Sequence, residues 1–594
     1  MHPILRLARD YGWKRRGSYL GGVLAMLATN GIAVRIPVEL GRAIDALAAG
    51  DAVWSHAGWI TLMGACLMAV RTLSRVLFFN PGRDVEYEVR RDIFARLLRL
   101  QPSFYATHKR GDLISRASND ITWARLALGF GLLALVNVST AFLMTGGQML
   151  ALSPRLTLFV IAPLLVGLLV VHLCIHALLE SQRAFQTETG LLSDQVLGSL
   201  QGISTIQGFV AEEAFLKRLD LRNQRLFSLT IRMAWLRSVA FPLLVLASSS
   251  AIAILIGIGG PMALSGEVSV GEIAAFAALL ATLAGPLRSL GWMLSVVQQS
   301  RAALERIFEL LDAPVERPEL QGGVAAQALP AGQGPGFRIR GLSHAYPDEP
   351  DRLVLQEIDL DIAPGEVVGL FGRTGSGKST LVRLLARVFN PQPGMVTVRG
   401  AEGGEADLVA LDLDAWRDRL AVVPQRPFLF SESIARNIVL QEPVDLPAAL
   451  RAAEQAALGP DLNQLAQGLE TVVGERGIML SGGQRQRVAL ARGLAREADL
   501  VVLDDVLSAV DHEAEARLVE ALVRHARGPR KPTTFIVSHR LSALRRADRI
   551  LVLDQGRLID QGTHSELVAR PGPYQDAWRV QSEGPAEPAL VGAR

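Results

Sequence analysis

The sequence predicts a multidomain chain: an all-α polytopic membrane domain of six long helices with cytoplasmic extensions, then an α/β domain. Three observations predict it. Six long apolar segments fill the N-terminal half, positive charges gather in alternate connections between them, and from Phe337 onward short β-rich runs alternate with helical ones around a glycine-rich loop. With 49% hydrophobic and 20% charged residues over 594 positions, the chain reads as a mixture of both kinds of domain.

The membrane domain is read over residues 1–312. Its segments run over about 18–46, 55–79, 126–152, 156–179, 239–262 and 270–297, each near or above the ~20 residues that cross a bilayer as a helix. A soluble bundle would keep a polar face on each helix, and stretches such as Leu243–Leu264 keep none. Arg6, Arg9, Lys14, Arg15 and Arg16 precede the first segment without the short core and cleavage site of a signal peptide, so an uncleaved start is expected.

Orientation follows from charge. Arg83, Arg90, Arg91, Arg96, Arg99, Lys109, Arg110 and Arg116 follow the second segment. Arg183, Lys217, Arg218, Arg222, Arg225, Arg232 and Arg237 follow the fourth, whereas the alternate loops carry little beyond Arg155. Positive residues stay inside, which places both termini in the cytoplasm of a cell (inner) membrane protein surrounded by lipid. Val85–Leu100 and Glu180–Gln201 have helical spacing, so the spans are expected to continue past the membrane. The excursions turn near Arg110-Gly111-Asp112-Leu113 and Gly208-Phe209-Val210-Ala211-Glu212, two candidate short coupling helices; ordinary turns are the plainer alternative.

Arg35, Glu39, His172 and His176 sit in or beside apolar runs. Such groups often line a pathway, although Arg35 and Glu39 are also spaced to pair on one helix face. The two cysteines, Cys66 and Cys174, lie in apolar stretches and read as small apolar residues, with no metal-ligand spacing. A net charge of +3 makes no case for nucleic acid.

Ala313–Gly336, rich in Pro, Gly, Ala and Gln without a period, reads as a linker; the α/β domain is read over 337–580 and a C-terminal tail over 581–594. Gly372-Arg373-Thr374-Gly375-Ser376-Gly377-Lys378-Ser379-Thr380 follows the apolar strand Val367–Phe371 and opens the helical run Leu381–Val388. That is the context of a phosphate loop: glycines let successive N–H groups face phosphate oxygens, and the helix start adds its dipole. Lys378 would meet the β- and γ-phosphates of ATP, and Ser379 would hold Mg²⁺. Leu500-Val501-Val502-Leu503 is an apolar strand that delivers Asp504, followed by Asp505; Asp504 is the expected metal carboxylate.

Leu480-Ser481-Gly482-Gly483-Gln484-Arg485-Gln486-Arg487, shortly before that strand, closely resembles the signature of ATP-binding cassette proteins. The other family marks fall in order. Tyr346 resembles the aromatic that stacks on adenine, Gln425 the glutamine that senses Mg²⁺, and Thr471–Gly477 the segment that meets coupling helices. Ser508-Ala509-Val510-Asp511 resembles the dimer-contacting loop, and His539 the histidine at the γ-phosphate. The membrane half is similar to exporters with six spans per half, through Pro37–Asp45 and Gly111–Arg116.

The resemblance implies an ATP-driven exporter half. Ser481, Gly482, Gly483 and Gln484 would close on nucleotide held by the phosphate loop of a second chain. Where active cassettes carry a glutamate, this chain has Asp505, one methylene shorter. Catalytic groups need hydrogen-bond reach, so the site is expected to hydrolyse slowly. Exporters pairing such a half with one that keeps the glutamate are known, which makes a different, homologous half the expected partner. The expected substrate is hydrophobic or amphipathic, a drug, lipid or peptide. A homodimer, an ATP-gated membrane regulator and an importer remain alternatives.

Overall fold

In lipid a backbone must satisfy its own hydrogen bonds, so long apolar segments become helices. The computed structural model describes residues 2–315, 334–347, 349–400, 403–506 and 512–583. It divides into two units: Met1–Arg99 with Arg110–Ala313, and Leu100–Lys109 with Pro314–Arg594.

The first unit is helical. Pro3–Leu7 and two short irregular turns lead into Arg16–Ala49, which stops at Gly50, in the left-handed region at φ 80°. Trp54–Arg99 follows, then a helical run over Arg110–Leu152 with π-helical turns at Arg116–Asp120 and Ala127–Gly131. Pro154–Gln201, Glu212–Leu264 and Val270–Asp312 complete it with 48, 53 and 43 residues. At ~1.5 Å per residue these exceed a ~30 Å hydrocarbon layer about twofold, so each carries a long extension.

The expected spans all fall on helices. Among the described residues four stretches are long and apolar enough to cross a bilayer: Pro3–Ala49, Trp54–Arg99, Arg110–Leu152 and Val245–Leu264. Pro154–Gly167 and Val270–Leu283 are shorter apolar stretches on the helices expected over 156–179 and 270–297. The side chains of His172, Cys174 and His176 lie outside the described residues. Glu39 pairs with His56 at 2.7 Å and Arg42 at 3.2 Å rather than with Arg35. Arg35 instead lines a cavity of about 450 Å³ with Gln148 and the start of the last helix.

Beyond the apolar stretches the helices are tied by charge. Arg306 grips Asp120 with two bonds of 2.7 and 2.8 Å, and buried Arg116 reaches both Asp112 and Glu309 at 2.9 Å. The candidate coupling helices are displaced from their expected places. Arg110–Leu113 already opens the third long helical run, and the separate short helix is Pro102–Thr107, started by a proline after extended Gln101. In the second excursion the short helix is Ile203–Gly208, and Phe209–Ala211 break the chain with Val210 at φ 52°.

The second unit holds two sheets. Strands β1 (Gly336–Ala345), β2 (Leu353–Ile362), β4 (Val396–Arg399) and β5 (Glu405–Asp407) form an antiparallel sheet in the order β2-β1-β4-β5. In the other sheet β3 (Val367–Gly372), β6 (Leu420–Val423), β7 (Leu500–Asp504), β8 (Thr533–Val537) and β9 (Arg549–Asp554) are parallel, and β10 (Arg557–Gly562) is an antiparallel edge. Its order is β10-β9-β3-β8-β7-β6.

A parallel sheet is covered on both faces, which is why β3, β7 and β8 are buried end to end. Val368, Leu370, Val502 and Phe535 face Phe337, Leu385 and Trp416 on one side; Val367, Leu503 and Ile536 face Val488, Leu490 and Leu544 on the other. The linker reading falls mostly on 316–333, outside the described residues. The tail expected from 581 is corrected in part. Helix Pro573–Glu583 runs through that boundary, because Gln581 bonds the carbonyl of His539 at 2.9 Å and the N–H of Leu541 at 3.1 Å.

Candidate functional site

Parallel strands deliver their loops to one edge, and ligands of open α/β sheets collect there. Strands β3, β8, β7 and β6 are consecutive neighbours in the sheet. At their C-terminal ends stand the loop Gly372–Thr380, Ser538 and His539, Asp504 and Asp505, and Gln425. They enclose a cavity of about 190 Å³ lined by Thr374 to Thr380, Gln425, Asp504, Asp505 and His539, with Val354 and Val537 besides.

The loop needs its glycines. Gly377 has φ 98°, and a Cβ there would lie 2.6 Å from Leu355 Cδ2 and 3.0 Å from the Val354 carbonyl. The turn leads into helix Lys378–Leu385, whose first N–H groups face the cavity. Lys378 is folded back into it: Nζ donates to the carbonyls of Gly372 and Arg373 at 2.8 Å each and approaches Ser376 Oγ at 3.4 Å. Burial holds its pKa below the usual lysine range, against the pull of Asp504 and Asp505.

Ser379 Oγ donates to Asp504 Oδ1 at 3.0 Å. Burial raises the Asp504 pKa, partly offset by that bond. A buried carboxylate with a hydroxyl beside it is an oxygen-donor pair, which suits Mg²⁺ bound jointly with phosphate oxygens.

Asp505 adopts the left-handed backbone region at φ 50°. Its N–H donates to Val537 O at 2.9 Å, and its Oδ2 accepts from Gln425 Nε2 at 3.2 Å. Tyr346 stands beside the loop, its hydroxyl 2.9 Å from Thr380 Oγ1. His344 and Phe389 pack on its ring at centroid distances of 5.4 and 5.2 Å.

The signature segment lies elsewhere in the unit and does not line this cavity. Ser481 caps helix Gly482–Ala495 through a capping box: its Oγ accepts from Gln484 N at 3.2 Å, and its N–H donates to Gln484 Oε1 at 2.8 Å. Ser481 and Gly482 are exposed. Thr471 and Val473 bond the backbone of Ile434 and Glu432, so this segment adds an extended edge to the turn after Phe430. The expected dimer-contacting loop Ser508–Asp511 lies outside the described residues.

Sequence reasoning missed Val354, whose only signal is a position one residue into β2. It also missed Asp461, which accepts from Gln484 and Arg487, and whose isolated position in a polar turn carries no motif.

Two family models match: that of the ABC transporter over residues 355–508, and that of the ABC transporter transmembrane region over 19–287. The chain is 32% identical over 603 residues to a probable multidrug resistance ABC transporter ATP-binding/permease protein, YheI, of Bacillus subtilis, with 99% of this chain and 100% of that protein covered. It is 32% identical to the multidrug resistance-like ATP-binding protein MdlA of Escherichia coli, covering 96% and 94%. It is 33% identical to an ATP-dependent lipid A-core flippase of Pseudomonas fluorescens, covering 85% and 81%. A bacterial Atm1-family ABC exporter with ATP bound shares the fold, with a TM-score of 0.76 at 24% identity, over 96% of this chain and 99% of that one.

Proposed function

We propose a function from one premise: the chain belongs to the ABC transporter family, with its transmembrane and nucleotide-binding regions fused in one polypeptide. It is one half of an ATP-driven exporter of a hydrophobic or amphipathic substrate. Its membrane part spans 1–312 in a cell membrane, and its ATPase part, 337–583, is cytoplasmic. The similarity to multidrug and lipid A-core proteins supports that substrate class.

Lys378 contacts the β- and γ-phosphates, the loop N–H groups hold the remaining phosphate oxygens, and Tyr346 stacks on adenine. Ser379 and Asp504, with help from Gln425, would hold Mg²⁺, which would supply positive charge to the phosphates when bound. Asp505 orients the attacking water and His539 contacts the γ-phosphate. Ser481, Gly482, Gly483 and Gln484 belong to the site of the other half. The observation that carries this reading is the separation within one unit of the cavity at Lys378 from the outward-facing cap at Ser481. Each half then supplies what the other lacks, and neither works alone.

The other half differs from this one and carries a glutamate where this chain has Asp505. The favoured observation is the short carboxylate, already engaged with the Gln425 amide. In inside-out vesicles holding the assembled protein, Lys378→Ala is expected to abolish ATP-driven accumulation of a fluorescent amphiphile while the membrane part still assembles. Accumulation that persists in this variant overturns the reading.

A further inference from the structure

We propose that Asp461 is a positioning residue for the signature turn, holding Ser481 in the geometry that meets the nucleotide of the second half. The inference rests on the reading that Ser481 works in trans.

The argument starts at Gln484. In a capping box the third helical residue reaches back to the N–H of the cap, and either glutamate or glutamine can do so. A glutamate would set a negative charge at the helix start where phosphate must arrive; glutamine avoids this but leaves an amide NH₂ to be satisfied. That NH₂ donates to Asp461 Oδ1 at 3.1 Å, while Gln484 Oε1 accepts from Ser481 N at 2.8 Å. The amide is thus fixed at both ends and cannot flip without losing both bonds.

Asp461 is fixed in turn. It sits in the short turn Gly459–Leu462, and its Oδ2 receives Nε and Nη2 of Arg487 at 2.9 and 2.7 Å. The two oxygens therefore serve different partners, with Oδ2 pinned and neutralised by Arg487 and Oδ1 presented to Gln484. Both side chains are largely buried, at 16% and 12% exposure, where such bonds are weakly screened. Arg487 stands one helical turn beyond Gln484, so helix and turn are clamped at two successive levels. The clamp keeps Ser481 extended, at φ −64° and ψ 163°, with its hydroxyl accepting from the Gln484 N–H at the exposed start of the helix. Without Asp461 the NH₂ of Gln484 is left seeking water, the box loosens, and the cap frays in the half-site that must close on phosphate.

The test uses the full-length protein with its partner in lipid nanodiscs, with MgATP turnover and binding of a fluorescent ATP analogue as readouts. Asp461→Ala is expected to lower turnover about tenfold, mainly through a higher KM, and to leave analogue affinity at this chain's phosphate loop within about twofold. A second variant separates positioning from folding. Gln484→Glu sets two carboxylates face to face and is expected to lose turnover about tenfold. Adding Asp461→Asn restores an amide–carboxylate pair and should raise turnover about threefold above the Gln484→Glu variant, with the remaining loss set by the carboxylate charge at the helix start.

Turnover unaffected by Asp461→Ala, or no recovery in the double variant, overturns the inference while Ser481→Ala remains impaired. A harmless Ser481→Ala overturns the trans-site reading itself, and this inference with it.

Discussion

Aspartate and asparagine visit the left-handed backbone region several-fold more readily than most residues, and Asp505 sits there at φ 50°. The short carboxylate is therefore matched to its backbone and, on the proposed reading, is limited in reach. Asp505→Glu brings the carboxylate one methylene closer to the phosphates. Turnover at this site is expected to rise by about tenfold or more, since ~1 Å of misplacement can cost ~10². Melting temperature should drop slightly because glutamate fits the conformation less well. Phosphate release compared between parent and variant checks this; no gain means that reach is not what limits the site.

A second side chain, His344, makes a prediction about pH. Its half-buried ring, packed against Tyr346 and Phe389, has its pKa held below the usual histidine value of 6.5 by desolvation, and its Nε2 has no hydrogen-bond partner among the described residues. A lowered pKa means that the folded state prefers the neutral ring. The stability contribution is thus present above pH 6.5 and lost as pH falls through the lowered value. His344→Phe keeps the aromatic packing without the titration. Its loss of nucleotide affinity and melting temperature between about pH 7 and pH 5 should be shallower than the parent's. Equal slopes would discard this account of the tyrosine platform.

Among the helices, close approach decides more than hydropathy. Gly41 on the first long helix meets Gly271 at the start of the last; a Cβ at Gly41 would lie 2.5 Å from the Gly271 carbonyl. Asp45, four residues on, accepts from Ser269 Oγ at 2.6 Å and Gly271 N at 2.8 Å, so the first helix caps the last one. Gly41→Leu must push these helices apart, at a cost of about 1–3 kcal/mol or more. Its thermal transition in detergent should fall by several degrees. Gly58→Leu, where a Cβ meets nothing within 4 Å, should leave the transition unchanged and serves as the control. In the other unit, Gln581 shows an element reaching past its expected end. A chain cut at 580 would release the backbone of His539 and Leu541 from the bonds that fix them.

For the whole molecule, the proposed division of the site between two halves sets the expected stoichiometry. The exposed signature cap and a cavity it does not line support the proposal of a second cassette. A pull-down of the tagged chain from its native membrane is expected to recover a homologous half with glutamate at the position of Asp505, in a one-to-one ratio. Recovery of this chain alone, in pairs, favours the homodimer and two slow sites.

By itself the sequence determined the two-domain plan, the helical segments, the phosphate loop and the strand that carries Asp504. All of these are written in spacings between near neighbours in the chain, where lipid, pleat and glycine act locally. Only the tertiary structure decided that Ser379 meets Asp504 across 125 positions, that Gln425 binds Asp505, and that Gln484 turns inward to Asp461. Those contacts follow from the sheet order β3-β8-β7-β6 and from helices packed on it, which depend on burial among distant segments. No local pattern encodes such a choice, because its free energy appears only once the sheet is assembled.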